Sequence, residues 1–417
     1  MPDNTDSTDD KTPPAQTPGR LEACGTSPAR LRDLAIFFLR LGTTAFGGPA
    51  AHIAIMEDEL VVRRKWVDRQ RFLDLLAAAN LIPGPSSTEL AIYIGYEKGG
   101  VGGLLLAGTC FILPAFLIVL AIAWAYMRYG YLPAVGSIVY GAVPVLIPIL
   151  LFAAWRLGRS AIKTRSLAIV AVLAMGLAFC RDFVPDTWPE QWRMVSYPLV
   201  VLMVSGIAAL MLKQAEQPPA AKSAAWLWPL LPFAAGSAGM LLVPLTLLGL
   251  FLVFLKIGAL IFGSGYVLLP FLTEELVDHR GWLTKDMVSV AVTVGQVTPG
   301  PVFTTATFIG YVLAGWTGAI VATVAIFLPA FLLVGLTGPF VRRMREWKTA
   351  SAFLDGLNVA AVALIVEISW TLGRPALIGI PTWIIACVSG LLLVRFKVNS
   401  SWLVLGGGLA GLLLCGW

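Results

Sequence analysis

Apolar residues along this chain neither alternate nor fall into narrow stripes. From Leu34 onward they form runs of about 20 residues separated by short polar or basic stretches. That is the length an α-helix needs to cross ~30 Å of hydrocarbon at 1.5 Å per residue. The runs lie near 33–56, 70–97, 101–127, 133–156, 164–181 and 195–212, then at Trp226–Val243, and then near 246–271, 286–311, 315–337, 350–372, 377–394 and 401–416. The pattern predicts an all-α, polytopic membrane protein, because a barrel would show short alternating strands instead. If each run crosses once, there are thirteen transmembrane segments.

The runs repeat. A shift of 216 residues lays Phe46 and Gly47 on Phe262 and Gly263, Glu59-Leu60-Val61 on Glu275-Leu276-Val277, Trp66 on Trp282, and Pro83-Gly84-Pro85 on Pro299-Gly300-Pro301. After a one-residue slip, "LPAF" at Leu113 falls on "LPAF" at Leu328, and Trp155, Gly158 and Arg159 fall on Trp370, Gly373 and Arg374. Register held over such a distance marks a tandem duplication. The expected organisation is a disordered cytoplasmic tail at 1–31, a first repeat at 32–212, a linker with an extra transmembrane helix at 213–245, and a second repeat at 246–417.

With thirteen crossings, equivalent segments are an odd number apart, so the repeats are expected to be inverted in the membrane, as in many secondary carriers. The positive-inside rule places Arg156–Arg165, Val341–Lys348 and Arg395–Lys397 in the cytoplasm, but puts the most basic loop, Arg63–Arg71, outside. Folding the proline-broken segments into re-entrant hairpins returns that loop to the cytoplasm and keeps the repeats inverted. Both topologies remain open at this point.

The broken segments carry the candidate chemistry. Pro83, Gly84 and Pro85, and again Pro299, Gly300 and Pro301, must interrupt a helix. Within a bilayer such a break is tolerated only inside protein or beside a watery cavity. A helix restarting after the break offers unpaired N–H groups and partial positive charge, and Ser86, Ser87 and Thr88, with Thr304 in the second copy, add hydroxyl donors. The arrangement is a cradle for an anion. Asn80 and Gln296, aligned three residues before each break, are supporting candidates or interhelical glue.

Arg40 aligns with Lys256 in otherwise apolar helices. Intramembrane cations face a pathway or a partner, and two of them suit a dianion; snorkelling to the interface is the plainer alternative for Arg40. Glu89 and Glu367 have no acidic counterpart in the other copy. Each is a candidate coupling group that carries a proton, or else a counterion for the basic pair in the empty state.

Composition narrows the classes further. Five scattered cysteines and two histidines leave no disulfide framework, metal site or haem, and no cofactor is expected. The net charge of +6 is accounted for by cytoplasmic loops, so the bilayer is the expected partner and nucleic acid is not. No Gly-rich nucleotide loop sits in a strand-to-helix context, which weighs against an enzyme.

"FGGP" at Phe46, "PGP" at Pro83 and Pro299, the paired "LPAF" and the duplicated layout resemble the chromate ion transporter family in its long two-domain form. The resemblance implies a bacterial inner-membrane carrier that exports chromate, confers chromate resistance and draws on the proton-motive force, with protons as coupling ions in an antiport. It adds Gly47 and Gly48 of "FGGP" to the substrate-binding set. The second copy departs with "FGSG" from Phe262, which puts equivalence of the two sites in doubt. Short family members work as pairs, so a homodimer is the protein partner to consider. Sulfate, another tetrahedral dianion, is the natural competitor or alternative substrate, and a membrane-bound chromate reductase is the alternative from another class.

Overall fold

The computed structural model describes residues 28–46, 48–180, 197–215, 245–261, 265–340 and 348–415. Gly47, the polar tail up to residue 27, the extra apolar run Trp226–Val243 and the stretch Phe262, Gly263 and Ser264 lie outside the described residues. Among the described residues all regular structure is helical.

The first half runs α1 (Pro28–Thr44), α2 (Gly48–Met56) continuing into a π-helical turn (Glu57–Arg63), α3 (Arg69–Ala79), α4 (Ser86–Tyr129), α5 (Pro133–Ala161), α6 (Arg165–Phe179) and α7 (Tyr197–Ala215). The second repeats that order: α8 (Leu247–Leu260), α9 (Leu268–Leu272) continuing into a π-helical turn (Thr273–Asp278), α10 (Lys285–Val297), α11 (Thr305–Thr337), α12 (Lys348–Ala376), α13 (Ile380–Arg395) and α14 (Ser400–Cys415). Local chemistry explains several starts. Asp68 accepts from the Arg71 amide at the head of α3, and its aligned counterpart Thr284 accepts from the Met287 amide at the head of α10.

Among the described residues four helices are long and apolar enough to cross a membrane: Ser86–Tyr129, Pro133–Ala161, Val302–Thr337 and Ser351–Ala376. Their outward faces, and those of the shorter helices, carry bare apolar side chains such as Val172, Leu336 and Leu413, as a lipid-facing surface requires.

The proline-broken segments turn back on themselves. Arg71, at the start of α3, forms a two-pronged pair with Glu97, with Nη2 2.6 Å and Nε 3.1 Å from the carboxylate oxygens. Twenty-six residues of straight helix would part them by about 39 Å. Likewise the Arg64 guanidinium lies over the Phe37 ring at 5.7 Å, although α1, the "FGGP" break and α2 intervene. In the second half Lys256 pairs with Glu275 across the corresponding break. The count of thirteen crossings took each broken segment as one passage. These segments are hairpins, and the count does not describe them.

A second reversal follows each PGP segment. Gly99-Gly100 and Ala314-Gly315 leave helical geometry, with φ of 58° at Gly100 and 63° at Gly315, so α4 and α11 are each two antiparallel arms. Gly95 and Gly103 touch backbone to backbone across the first, and the hydroxyls of Thr307 and Thr323 meet at 2.7 Å across the second.

The halves exchange their last helices. At the centre α4 packs on α11 and α5 on α12. Around them α6 and α7 of the first half pack on α12 of the second, while α13 and α14 of the second pack on α5 of the first. Small residues let these backbones close up: Gly141 of α5 lies against Gly407 and Gly411 of α14, and Gly356 of α12 lies against Ser205 and Gly206 of α7.

Candidate functional site: two crossed helix breaks beneath a basic cavity

Each PGP break is tied to the "FGGP"-level break of the other half. The Gly84 N–H donates to the Ile261 carbonyl at 2.7 Å, and the Gly300 N–H donates to the Ala45 carbonyl at 3.1 Å. Ala45 and Ile261 are the residues where α1 and α8 stop, and they align with each other in the duplication. Carbonyls freed by one interruption thus satisfy amides freed by another, as a break at membrane depth demands. Both glycines sit in the left-handed region, at φ 138° and 88°.

His52 locks the first break. Its wholly buried ring places Nε2 3.2 Å from the Ala45 carbonyl and Nδ1 3.3 Å from the Ser87 hydroxyl. The carbonyl puts the proton of the neutral ring on Nε2, so Ser87 donates to Nδ1. Leu268 stands at the aligned position of the second copy, so the repeat gives no sign of this histidine; its place follows from the hairpin, which brings α2 back against α4.

The hydroxyl cradle is uneven. Ser86 lines an open cavity, Ser87 is turned to His52, and Thr88 is buried with no hydrogen-bond partner for its hydroxyl. Beside it Glu89 is completely buried, with both carboxylate oxygens unpartnered and one of them pressed towards Gly84 at the tip of the break. In the second half Thr304 closes its own turn by donating to the Pro301 carbonyl at 2.8 Å. Its proton is therefore not held out to an anion in this conformation. Val302 and Phe303 stand where the first half has Ser86 and Ser87, so the second break is greasier as well.

The basic pair is placed away from the breaks. Lys256 reaches Glu275, which Arg280 grips from the other side. The first half mirrors this: Arg64 Nε lies 2.7 Å from Glu59, and the charge of Arg40 also acts on that carboxylate. The Arg64 hydrogen bond, with Arg64, Arg63 and Arg40 as neighbouring charges, holds the Glu59 carboxyl below the usual carboxylate range. A Lys256 aimed unaccompanied at a ligand is thus not what the fold contains. Its partner sits 19 residues on, beyond a break that only a hairpin can fold back. Glu367 is half-buried and accepts from Thr371 Oγ1 at 2.9 Å, and the buried Gln296 accepts from the Ser401 hydroxyl through its main-chain carbonyl at 3.2 Å.

The open cavity has a volume of about 1420 Å³. Phe46, Pro49, Asn80 and Ser86 of the first half's breaks line it together with Tyr266 of the second. Arg156, Arg159, Lys163 and Lys397 line it too, with Asp355 as the acidic lining residue. An open, predominantly basic funnel that reaches the first half's two helix breaks concentrates anions. The sequence reading used these four cations only to orient loops; the repeated Trp-x-x-Gly-Arg at Trp155 and Trp370 was the available sign that α5 carries more than topology. Pro83, Pro85, Pro299 and Pro301 frame the breaks without lining the funnel.

Comparison with known proteins agrees with this arrangement of paired halves. The family model for chromate transporters matches residues 32–211 and again 248–412. A chromate transport protein of Cupriavidus metallidurans is 34% identical over 401 residues, covering 92% of each chain. One of Pseudomonas aeruginosa is 32% identical over 389 residues, covering 90% of this chain and 91% of the relative. No solved structure matches. With two matched stretches across the crossed breaks and relatives aligned nearly end to end, the chain belongs to the chromate transporter family.

Proposed function

We propose that the protein is a secondary carrier that exports chromate across the bacterial inner membrane, confers chromate resistance and is driven by the proton-motive force. The observation that carries this reading is the reciprocal pair of bonds at the breaks, Gly84 to Ile261 and Gly300 to Ala45. It gives the protein two matched, interlocked discontinuities at its centre, one of which meets a basic funnel. The repeats are inverted in this reading, and rocking one set of breaks against the other exposes the site alternately to the two sides. The membrane potential alone favours the direction: an interior-negative 100 mV is worth ~2.3 kcal/mol per charge, twice that for a dianion leaving the cell.

In this reading the Pro83–Thr88 break, with Gly47 and Gly48, forms the main cradle, and the Pro299–Thr304 break is its gate-like counterpart. Glu89, buried and unpartnered, carries the coupled proton. Arg40 and Lys256 hold the hairpins closed against Glu59 and Glu275 in the state seen here. The experiment is radiolabelled chromate uptake into everted vesicles energised with NADH, with and without uncoupler and excess sulfate. Accumulation that the uncoupler collapses supports energised export; none above vesicles lacking the protein, at good expression, rejects it. Accumulation of sulfate in preference to chromate would reassign the substrate.

A further inference from the structure

We propose that the oxyanion docks at only one of the two pseudo-equivalent positions, in the funnel between the Arg156 guanidinium of the first repeat and the Tyr266 hydroxyl of the second, beside Ser86. The inference rests on the carrier reading and names the residues that would grip its substrate. Arg156 of α5, Tyr266 of the short helical turn Gly265–Val267 before α9, and Ser86 all line the same cavity. A methyl group added at Gly48 would stand 4.0 Å from the Tyr266 hydroxyl, so the phenol tip already lies at the first helix break. Arg156 is near enough for its charge to act on that phenol, and its guanidinium lies 6.0 Å from the Phe152 ring, which holds it along the cavity wall. A planar guanidinium with a neighbouring O–H donor suits the edge of a tetrahedral oxyanion, which takes two parallel N–H bonds and one more from the hydroxyl.

The duplication supplies the contrast. The positions aligned with Arg156, Tyr266 and Phe152 are Thr371, Ala50 and Glu367. Where the first repeat offers a cation, the second offers a hydroxyl donating to a carboxylate. An anion that meets Arg156 at one stage of a rocking cycle would meet Glu367 at the equivalent stage of the other. The inequality gives a nearly symmetric scaffold one face that captures the anion and one that lets it go.

The test uses the full-length protein in detergent, with equilibrium dialysis of radiolabelled chromate and of radiolabelled sulfate, and thermal unfolding as a check on folding. Arg156→Gln is expected to weaken oxyanion binding about tenfold or more, and Tyr266→Phe by a smaller factor, with unchanged unfolding midpoints. Arg156→Lys is expected to recover part of the loss, and Arg374→Gln, at the position aligned with Arg159 and outside the cavity, to bind like wild type. Wild-type affinity in a folded Arg156→Gln, or equal loss in Arg374→Gln, overturns the one-sided site while leaving the carrier reading intact. A wild-type protein that binds neither oxyanion overturns both. Should Arg156→Gln fail to fold, Tyr266→Phe carries the same decision alone.

Discussion

Gly84 and Ile261 belong to different halves of the chain, yet the amide of one donates to the carbonyl of the other at 2.7 Å, at the point where both helices stop. The bond has a twin in Gly300 and Ala45. Glycine is required at both donors because the backbone there is left-handed, and because a side chain would run into the Glu89 carboxylate at Gly84 and into Ala115 and Gly42 at Gly300.

Gly300→Ala is therefore expected to damage the protein twice. The added carbon would lie 2.8 Å from the Ala115 methyl and 3.1 Å from the Gly42 carbonyl. Strain at φ 88° and overpacking each cost about 1–3 kcal/mol. A clear drop in the thermal unfolding midpoint in detergent, together with loss of uptake, is the expected result. A variant as stable and active as wild type would mean the crossed breaks are not tightly held.

Glu275 is almost fully buried between Lys256 and Arg280. Removing one partner of such a group leaves charge uncompensated, at about 3–5 kcal/mol, whereas replacing the whole cluster with apolar residues is far less harmful. Lys256→Met alone is expected to destabilise strongly, and the Lys256→Met, Glu275→Met, Arg280→Met triple variant to recover most of the loss in chemical denaturation. Additive losses across the series would show that the cluster does not act as a unit.

How far this fold could be read from sequence depended on the distance over which each signal acts. The breaks at Pro83 and Pro299 are local and fall where proline chemistry puts them, between α3 and α4 and after α10. The Lys256–Glu275 pair was hidden because sequence spacing shows neighbours on one helix, not across a hairpin. The exchange of α6 and α7 for α13 and α14 was likewise invisible, since apolar helices in lipid carry little code for their partner beyond small residues such as Gly141 and Gly356. In the site, Ser86 was legible as the first hydroxyl after a break. Tyr266 was not, because Ala50 aligns with it and nothing in the repeat draws attention to it.

Glu89 offers a test of energy coupling that does not depend on stability. Its carboxylate has no hydrogen-bond partner to lose, so Glu89→Gln is expected to fold and insert normally. In NADH-energised everted vesicles, nigericin, which dissipates the pH gradient but leaves the potential, should lower chromate accumulation by the wild type. The Gln variant, with no proton to carry, should accumulate less and should not respond to nigericin. A nigericin response of wild-type size in the variant would remove Glu89 from the coupling path.

The Arg71–Glu97 pair makes a claim about sidedness that chemical labelling can check. If the segment around Pro83 is a hairpin, Arg69 and Val101 face the same side of the membrane, and Tyr131, beyond the long arm of α4, faces the other. If the segment passed straight through, Arg69 and Tyr131 would share a side and Val101 would be opposite. All three side chains are well exposed. With the five native cysteines replaced by serine, single cysteines at the three positions would be treated with a membrane-impermeant maleimide in right-side-out and everted vesicles. Matching accessibility at 69 and 101, reversed at 131, is the expected outcome. It would also return the basic loop at Arg63–Arg71 to the side on which the positive-inside rule expects it. Matching accessibility at 69 and 131 instead would unmake the hairpin, and with it the placement of Ser86 beside Pro49 in the funnel.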